Sequence, residues 1–458
     1  MRTRWLARVA VVVLLLAAPA SHQAAVGAVA APPGAPNVLV IVTDDQRTGT
    51  MLAMPKTLAW LRAGGVEFRQ AYVTTPSCCP SRASIFSGRY VHNHGVRQQR
   101  QGANLDHRAT LQRHLKDSGY FTAMAGKFLN RWSLGTRPPF FDRYTVANGG
   151  YNDVNWGVDG AVRRIPGYTT TIIGDKTIEY LNAFEAADDA RPWFAYLATF
   201  APHLPRTPEP QYAGTTFAPW AGNPAVNENV ADKPQYVRWR PTATDAAIQR
   251  VRTEQLRTLK SVDDMVDRVL RHLQTRGELD NTLVLYTSDN GYTWAEHRIL
   301  DNKFVPYTES VQVPFFARWP GHLAPGTTDD RFVANIDIKP TVLAAVGIPA
   351  DPAFPVDGRS FLSPGGRNRL LTEYFFDDAN MPNLQTWAAT RTRTYQYVEN
   401  YNQPELGGGT FREYYDLVAD PWMLTNLYRD GNPNNDPAVG PLSSALAADR
   451  QCSGATCP

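Results

Sequence analysis

Cysteine is scarce in this chain: four residues in 458, too few to staple a secreted scaffold through disulfides. Long apolar runs are missing as well. The one candidate, residues 9–18, is shorter than a bilayer requires, so no stable membrane insertion is expected. No block of Lys or Arg stands out, and 46 basic against 43 acidic residues leave a net charge of +3. A balance this close to neutral argues against nucleic acid as a partner. There is no internal repeat and, beyond the leader, no low-complexity tract. What is there, 43% hydrophobic and 19% charged residues, is ordinary globular composition in a length that holds one large domain and a smaller one.

Arg2, Arg4 and Arg8 precede the apolar segment, and small residues follow it through Ala31. That is the pattern of a secretory signal peptide, assigned to residues 1–30, with Ala20 and Ala30 as alternative cleavage points. The protein is therefore expected to be secreted. Cys452 and Cys457 stand close enough to close a small loop. Cys78 and Cys79 then remain, and adjacent cysteines rarely bond each other because the geometry is strained.

Past a Pro/Gly/Ala stretch, Val38-Leu39-Val40-Ile41-Val42 is a continuous β-rich run that ends in Asp44-Asp45. It predicts a strand buried on both faces of an α/β sheet. Thr282-Leu283-Val284-Leu285-Tyr286 is a second such run and ends in Ser288-Asp289-Asn290-Gly291. Residues 193–200 predict a third buried strand, ending at Pro202-His203, and 313–317 a short fourth. Leu256, Leu259, Val262, Val266, Val269 and Leu273 recur at three- and four-residue spacing, which predicts one long amphipathic helix. A shorter helix is expected over 173–184. After a linker at Ser363-Pro364-Gly365-Gly366, the segments 370–374, 394–399 and 414–417 alternate with turns as in a small antiparallel sheet.

Ligands of open α/β sheets bind beyond the carboxyl ends of the strands, so acids at two strand ends can share one site. Asp44, Asp45, Asp289 and Asn290 offer hard oxygen ligands suited to Ca²⁺ or Mg²⁺ rather than zinc or copper. Either pair alone would serve equally well as a helix N-cap. Between the two pairs lies Cys78-Cys79-Pro80-Ser81-Arg82, continuing as Ala83-Ser84-Ile85-Phe86-Ser87-Gly88-Arg89-Tyr90.

This segment resembles the Cys-x-Pro-Ser/Ala-Arg signature of sulfatases, and the resemblance extends over nearly the whole mature chain. It implies that Cys78 is oxidised to formylglycine by a formylglycine-generating enzyme. The hydrated aldehyde then carries two hydroxyls, one to attack sulfur and one to expel sulfate later. It implies Ca²⁺ held by Asp44, Asp45, Asp289, Asn290 and an oxygen of the modified Cys78, with Mg²⁺ compatible with the same donors. Pro80, taken as a first helical position, would aim backbone N–H groups at the same anion. The implied fold is alkaline phosphatase-like α/β: a large mixed, mostly parallel sheet sandwiched by helices over 31–362, with a small C-terminal antiparallel α+β domain over 367–458.

Further segments match one by one. Gly126-Lys127-Phe128 resembles the family's Gly-Lys-aromatic segment, Ala201-Pro202-His203-Leu204-Pro205 its Pro-His-x-Pro turn, and Glu296-His297 with Lys303 its Glu-His…Lys segment. The resemblance makes Lys127, His203, His297 and Lys303 substrate-binding residues, with the two lysines on the sulfate and His203 facing the ester oxygen. Arg82, Lys127 and Lys303 stabilise developing charge, and His203 or Lys303 protonates the leaving alcohol. One departure is visible: where many sulfatases carry a His two residues beyond the lysine, this chain has Leu129, followed by Asn130. Its role toward the hydrate falls to His94 or Asn93. Phe332-Val333-Ala334-Asn335-Ile336-Asp337 and Glu413-Tyr414-Tyr415-Asp416-Leu417 continue the likeness. Cys-Cys-Pro-Ser-Arg with His92-Asn93-His94, and the passage from Gly277 to Thr282, are most similar to N-acetylglucosamine-6-sulfatases. The implied substrate is a sulfated amino sugar within a carbohydrate, with Tyr292 and Trp294 as candidates for stacking on its ring. A phosphonate monoester or phosphodiester hydrolase, or a catalytically silent glycan-binding relative, are the alternatives.

Overall fold

A computed structural model describes residues 34–378 and 380–458; the expected signal segment lies outside the described residues. In chain order the first strands are β1 (Asn37–Thr43), β2 (Val66–Tyr72), β3 (Phe121–Lys127), β4 (Arg143–Ala147), β5 (Asn155–Val158) and β6 (Ala161–Arg164). Then come β7 (Trp193–Ala198), β8 (Thr282–Ser288), β9 (Thr293–Trp294), β10 (Leu300–Asn302), β11 (Phe316–Arg318) and β12 (Thr327–Ala334). The C-terminal strands are β13 (Arg369–Tyr374), β14 (Trp387–Thr392), β15 (Tyr395–Gln403) and β16 (Gly409–Asp416). Among helices of seven or more residues are α1 (Pro55–Leu61), α2 (Cys78–Ser87), α3 (Leu111–Asp117), α4 (Thr169–Ala187), α5 (Asp245–Arg276), α6 (Ile338–Ala345) and α7 (Val439–Asp449).

One ten-stranded sheet runs in the order β12-β2-β11-β8-β1-β7-β3-β4-β5-β6. Its centre is parallel: β1 pairs with β7 and β8, and β3 with β7 and β4. Every residue of β1 is buried, as expected for a strand covered on both faces. Alternation along the strand sorts its side chains between two layers. Val38, Val40 and Val42 join a core with Ile85 and Phe86 of α2, Leu115 of α3 and Val342 of α6. Leu39 and Ile41 point the other way, against Ile173 and Leu181 of α4 and Leu259, Val262 and Val266 of α5.

Helix α5 is longer at both ends than its apolar spacing suggests. The Thr244 hydroxyl caps its start by accepting from the Ala247 N–H, and Gly277 ends it in the left-handed region at φ 77°, a conformation that favours glycine. The fourth expected strand shrinks to Phe316–Arg318, where the chain turns antiparallel between β8 and β2. Helix α2 begins at Cys78, with Ser77 as the extended residue before it. Pro80 is therefore the third helical residue rather than the first, which corrects the expected helix start.

The second sheet, β13-β14-β15-β16, is antiparallel throughout. Strand β14 went unforeseen because Trp-Ala-Ala-Thr-Arg-Thr lacks the alternation of an edge strand and is nearly all buried. This sheet shares a core with the larger one: Trp387, Tyr397 and Tyr415 pack with Tyr72, Tyr90 and Tyr307. Cys452 and Cys457 are disulfide-bonded, and Cys78 and Cys79 are free and buried. No helix of the described residues is long and apolar enough to cross a membrane.

Candidate active site

Four adjacent parallel strands deliver chemistry from their carboxyl ends. Strand β3 ends in Lys127, β7 runs on to His203, β1 leads into Asp44-Asp45, and β8 into Asp289-Asn290. The register β1–β8 pairs Thr43 with Ser288, which sets the two acid pairs side by side. Backbone bonds then fix them: the Asp289 N–H donates to the Thr43 carbonyl at 3.0 Å and the Asp44 N–H to the Ala201 carbonyl at 3.2 Å. Asp45 holds the left-handed region at φ 68°, and its N–H donates to Asp289 Oδ1 at 3.2 Å. Asn290 Nδ2 donates to Asp45 Oδ1 at 2.7 Å.

Cys78, the first residue of α2, reaches this cluster from the side. Its Sγ lies 3.4 Å from Asp44 Oδ1 and 3.9 Å from Asp45 Oδ1. Donor atoms of Asp44, Asp45, Cys78 and Asp289 all lie within 4.8 Å of one another. One turn further along α2, Arg82 is fully buried. Its Nε donates to Asp289 Oδ2 at 2.8 Å and its Nη1 to the Lys127 carbonyl at 2.9 Å, and Nη2 stands 3.7 Å from Asp44 Oδ2. Lys127 Nζ sits 2.5 Å from Asp44 Oδ2. Lys303 Nζ pairs with Asp45 and lies 2.6 Å from Cys78 Sγ and 3.3 Å from Asn290 Oδ1. His203 Nε2 faces Asp45 Oδ2 at 3.8 Å.

The electrostatics follow from burial. Burial alone would raise the Asp44 carboxyl, but Lys127, His203, Arg82 and Lys303 outweigh it and hold the group well below the usual carboxylate range. Asp289 goes the other way, pushed up by burial and by the charge of Asp44. The ammonium groups of Lys127 and Lys303 are held above the ordinary lysine value despite burial, chiefly by Asp44 for the first and Asp45 for the second. The Cys78 thiol is driven up by burial and then by Asp44, so it is no thiolate. Carboxylates Asp44, Asp45 and Asp289 are balanced by Arg82, Lys127 and Lys303. A divalent cation added to this set would leave a net positive site for an anionic ester. Apart from the Cys78 sulfur the donors are carboxylate oxygens, and their crowding fits a hard cation such as Ca²⁺.

Not every expected residue joins this cluster. His94 packs behind α2: its Nδ1 accepts from the Val96 N–H at 3.1 Å, so Nε2 carries the proton toward Ser84 Oγ at 3.0 Å. Both ring nitrogens are thereby used, and the expected contact with position 78 is corrected. Asn93 is committed to Asp357 and the Cys452 carbonyl. His297 pairs through Nδ1 with Glu228 and lies on the Tyr307 ring, 3.9 Å between centroids, without touching the carboxylates. Trp294 and Tyr292 are 2% and 3% exposed, so neither ring offers a face to a sugar. Trp294 instead lies beneath the Arg47 guanidinium, 4.2 Å from its centroid.

Two features were missed. Arg206, buried and two residues past Leu204, pairs with Asp301 and Glu254 and donates to the Tyr292 hydroxyl; an Arg directly after the Pro-His-x-Pro turn was the available signal. Gln99 accepts from the Cys79 N–H at 3.1 Å and from Asn130 Nδ2 at 2.8 Å, and no local pattern marks it. The Cys79 N–H, in the first turn of α2, is therefore already engaged.

A doubly covered sheet with a buried carboxylate and cation cluster at its strand ends, closed by a helix that starts on a cysteine, defines a hydrolase for anionic esters. The model of the Sulfatase family matches residues 36–348, and the chain belongs to that family and is a sulfuric ester hydrolase. The C-terminal model of N-sulphoglucosamine sulphohydrolase matches residues 295–450. The chain is 31% identical to N-acetylglucosamine-6-sulfatase of Capra hircus over 92% of its own length and 84% of that protein's. It is 32% identical to an extracellular sulfatase of Drosophila melanogaster over 71% of this chain and 31% of that longer protein. A solved structure of a protein in complex with its substrate D-glucosamine-2-N,6-O-disulfate superposes with a TM-score of 0.79 at 23% identity, covering 91% of this chain and 97% of that one.

Two outcomes follow from this geometry. Arg82→Ala strips a buried guanidinium from Asp289 and Asp44, and leaving such charges unpaired costs about 3–5 kcal/mol; denaturant unfolding in chelator measures it. A loss no larger than that of an exposed arginine would contradict the pairing. His94 is pushed down from 6.5 to about 3 by burial and then by Arg89. Between those values the unfolded chain takes up the proton and the folded chain does not, so acidification withdraws stability. His94→Gln should therefore gain on the wild type steadily as pH falls below 6.5. A difference in unfolding free energy that stays flat with pH would mean that His94 is already charged.

Proposed function

We propose that this sulfatase removes 6-O-sulfate from N-acetylglucosamine-type sugars, using formylglycine at position 78. The observation that carries the proposal is the position of Cys78, at the start of α2, with Sγ 3.4 Å from Asp44 and 2.6 Å from Lys303 Nζ. A thiol pushed up by burial is a poor nucleophile, whereas a hydrated aldehyde there supplies one hydroxyl to attack sulfur and a second to release sulfate. The side chain is 1% exposed, which favours modification by a formylglycine-generating enzyme before the site closes. The relatives acting on glucosamine sulfates support the sugar, and the extracellular relative and Arg-rich leader support export.

Ca²⁺, or Mg²⁺ in its place, would be held by Asp44, Asp45, Asp289, Asn290 and an oxygen at position 78, and would supply Lewis-acid polarisation of the sulfuryl group. The chain's own cations do the rest. Lys303 faces the attacking position, where its fixed charge favours an oxygen that has given up its proton. Lys127, beside Asp44, and Arg82, beside Asp289, offset charge that grows on the sulfuryl oxygens. His203 is the acid for the leaving alcohol. Its Nδ1–H donates to the Leu204 carbonyl at 2.8 Å, so the second proton of its cationic form sits on Nε2, and its side chain is 38% exposed at the mouth. Residues 31–362 carry this chemistry, and 367–458 form the smaller domain beside it.

Mass analysis of the peptide holding Cys78 and Cys79 should show sulfur lost at the first and kept at the second, in fully active protein. The sugar is tested by kcat/KM on N-acetylglucosamine-6-sulfate against a nitrophenyl sulfate and a nitrophenyl phosphonate. A site built for sugar hydroxyls penalises analogues that leave polar groups unpaired, so the sugar should win. A preference for the aryl sulfate would discard the amino sugar, and a preference for the phosphonate would move the chain to phosphonate ester hydrolysis.

A further inference from the structure

Gln99 stands at the start of α2 in a fixed orientation. Its Oε1 takes the Cys79 N–H at 3.1 Å and Asn130 Nδ2 at 2.8 Å. A backbone N–H can only donate, so the carbonyl end of the amide must point at the helix and the NH₂ end away from it. Its own backbone N–H donates to Asp377 Oδ2 at 2.8 Å, which ties this loop to the C-terminal part of the chain. The Nε2 atom has no hydrogen-bond partner among the described residues, and it is absent from the buried unsatisfied atoms. It therefore reaches solvent, one residue from the reacting position 78.

This arrangement turns a helix-terminal donor around. The Cys79 N–H would otherwise face an incoming anion; here it polarises an amide whose opposite end is a free NH₂. Nothing in the fold requires that NH₂, because the two bonds that hold Gln99 use only its oxygen. We infer that Gln99 is a substrate-binding residue, donating Nε2–H to an acceptor oxygen of the sulfated substrate seated over position 78. The inference rests on the sulfate-ester reading of the site. It assigns to the half-buried loop 95–101 a contact additional to those of the buried lysines, which are engaged with Asp44 and Asp45.

The discriminating substitution is Gln99→Glu. A carboxylate still accepts from the Cys79 N–H and from Asn130, so the structural bonds survive, but the donor is gone. Wild-type turnover of N-acetylglucosamine-6-sulfate tests the sulfate-ester reading by itself; the ratio of variant to wild type tests Gln99. The expected result is an unchanged melting temperature with kcat/KM lowered about a hundredfold, the typical effect of losing one donor to an oxyanion. The deficit should persist at high salt, since screening removes charge repulsion but restores no hydrogen bond. Inhibition by inorganic sulfate separates the two ends of the substrate. Weakened inhibition places the contact on the sulfuryl group, and unchanged inhibition with lowered kcat/KM places it on the sugar. Gln99→Leu, which has neither donor nor acceptor, should lose as much turnover and, in addition, some melting temperature. Wild-type kcat/KM in Gln99→Glu, or full recovery of it at high salt, overturns the assignment and leaves Gln99 as a helix cap.

Discussion

Three carboxylates buried at neighbouring strand ends are the constraint on which the rest of this structure depends. Asp44, Asp45 and Asp289 are each 2% exposed or less, and such charges cannot leave water without partners. The partners arrive from far along the chain: Arg82 from α2, Lys127 from the end of β3, Lys303 from just past β10. Each can do so only if the central strands keep their order and register. The site is thus a condition on the fold and not an addition to it. In the proposed function, the same cations that make the carboxylates tolerable are the ones that an anionic ester would meet.

Much of this was legible in the sequence because it is written in short, local patterns. Unbroken Val/Ile/Leu runs ending in acids mark β1 and β8, and period-four leucines and valines mark α5. The sulfatase-like segments around Cys78, Lys127, His203 and Lys303 come from four separate stretches, and the structure brings all of them to the same carboxylates. Parallel pairing explains this for Lys127 and His203, whose adjacent strands put their carboxyl ends on one side of the sheet; Cys78 arrives on α2 and Lys303 just past β10 of a small antiparallel pair.

What was not legible depends on distant contacts or on exact placement. His94 carries the same letter whether it faces a reacting group or, as here, Ser84 and the Val96 N–H behind α2. Tyr292 and Trp294 follow the acid pair closely enough to suggest a sugar platform, yet both are buried, Trp294 beneath Arg47. Pro80 suggested a helix start two residues late because proline is tolerated anywhere in the first turn, not only at its first position. Gln99 is invisible in sequence because its meaning comes from the Cys79 N–H and Asn130, which only folding brings beside it.

The central claim is that this balanced cluster is completed by a hard divalent cation before it receives sulfate. Thermal unfolding of the chelated protein across a Ca²⁺ titration tests it most directly, with Asp289→Ala as the companion. A cation bound only by the folded state raises the melting temperature as its concentration climbs past the dissociation constant. The account predicts that rise in the wild type, its absence in Asp289→Ala, and turnover that disappears with chelation and returns with Ca²⁺. A melting temperature and a turnover that both ignore Ca²⁺ and chelator would contradict it.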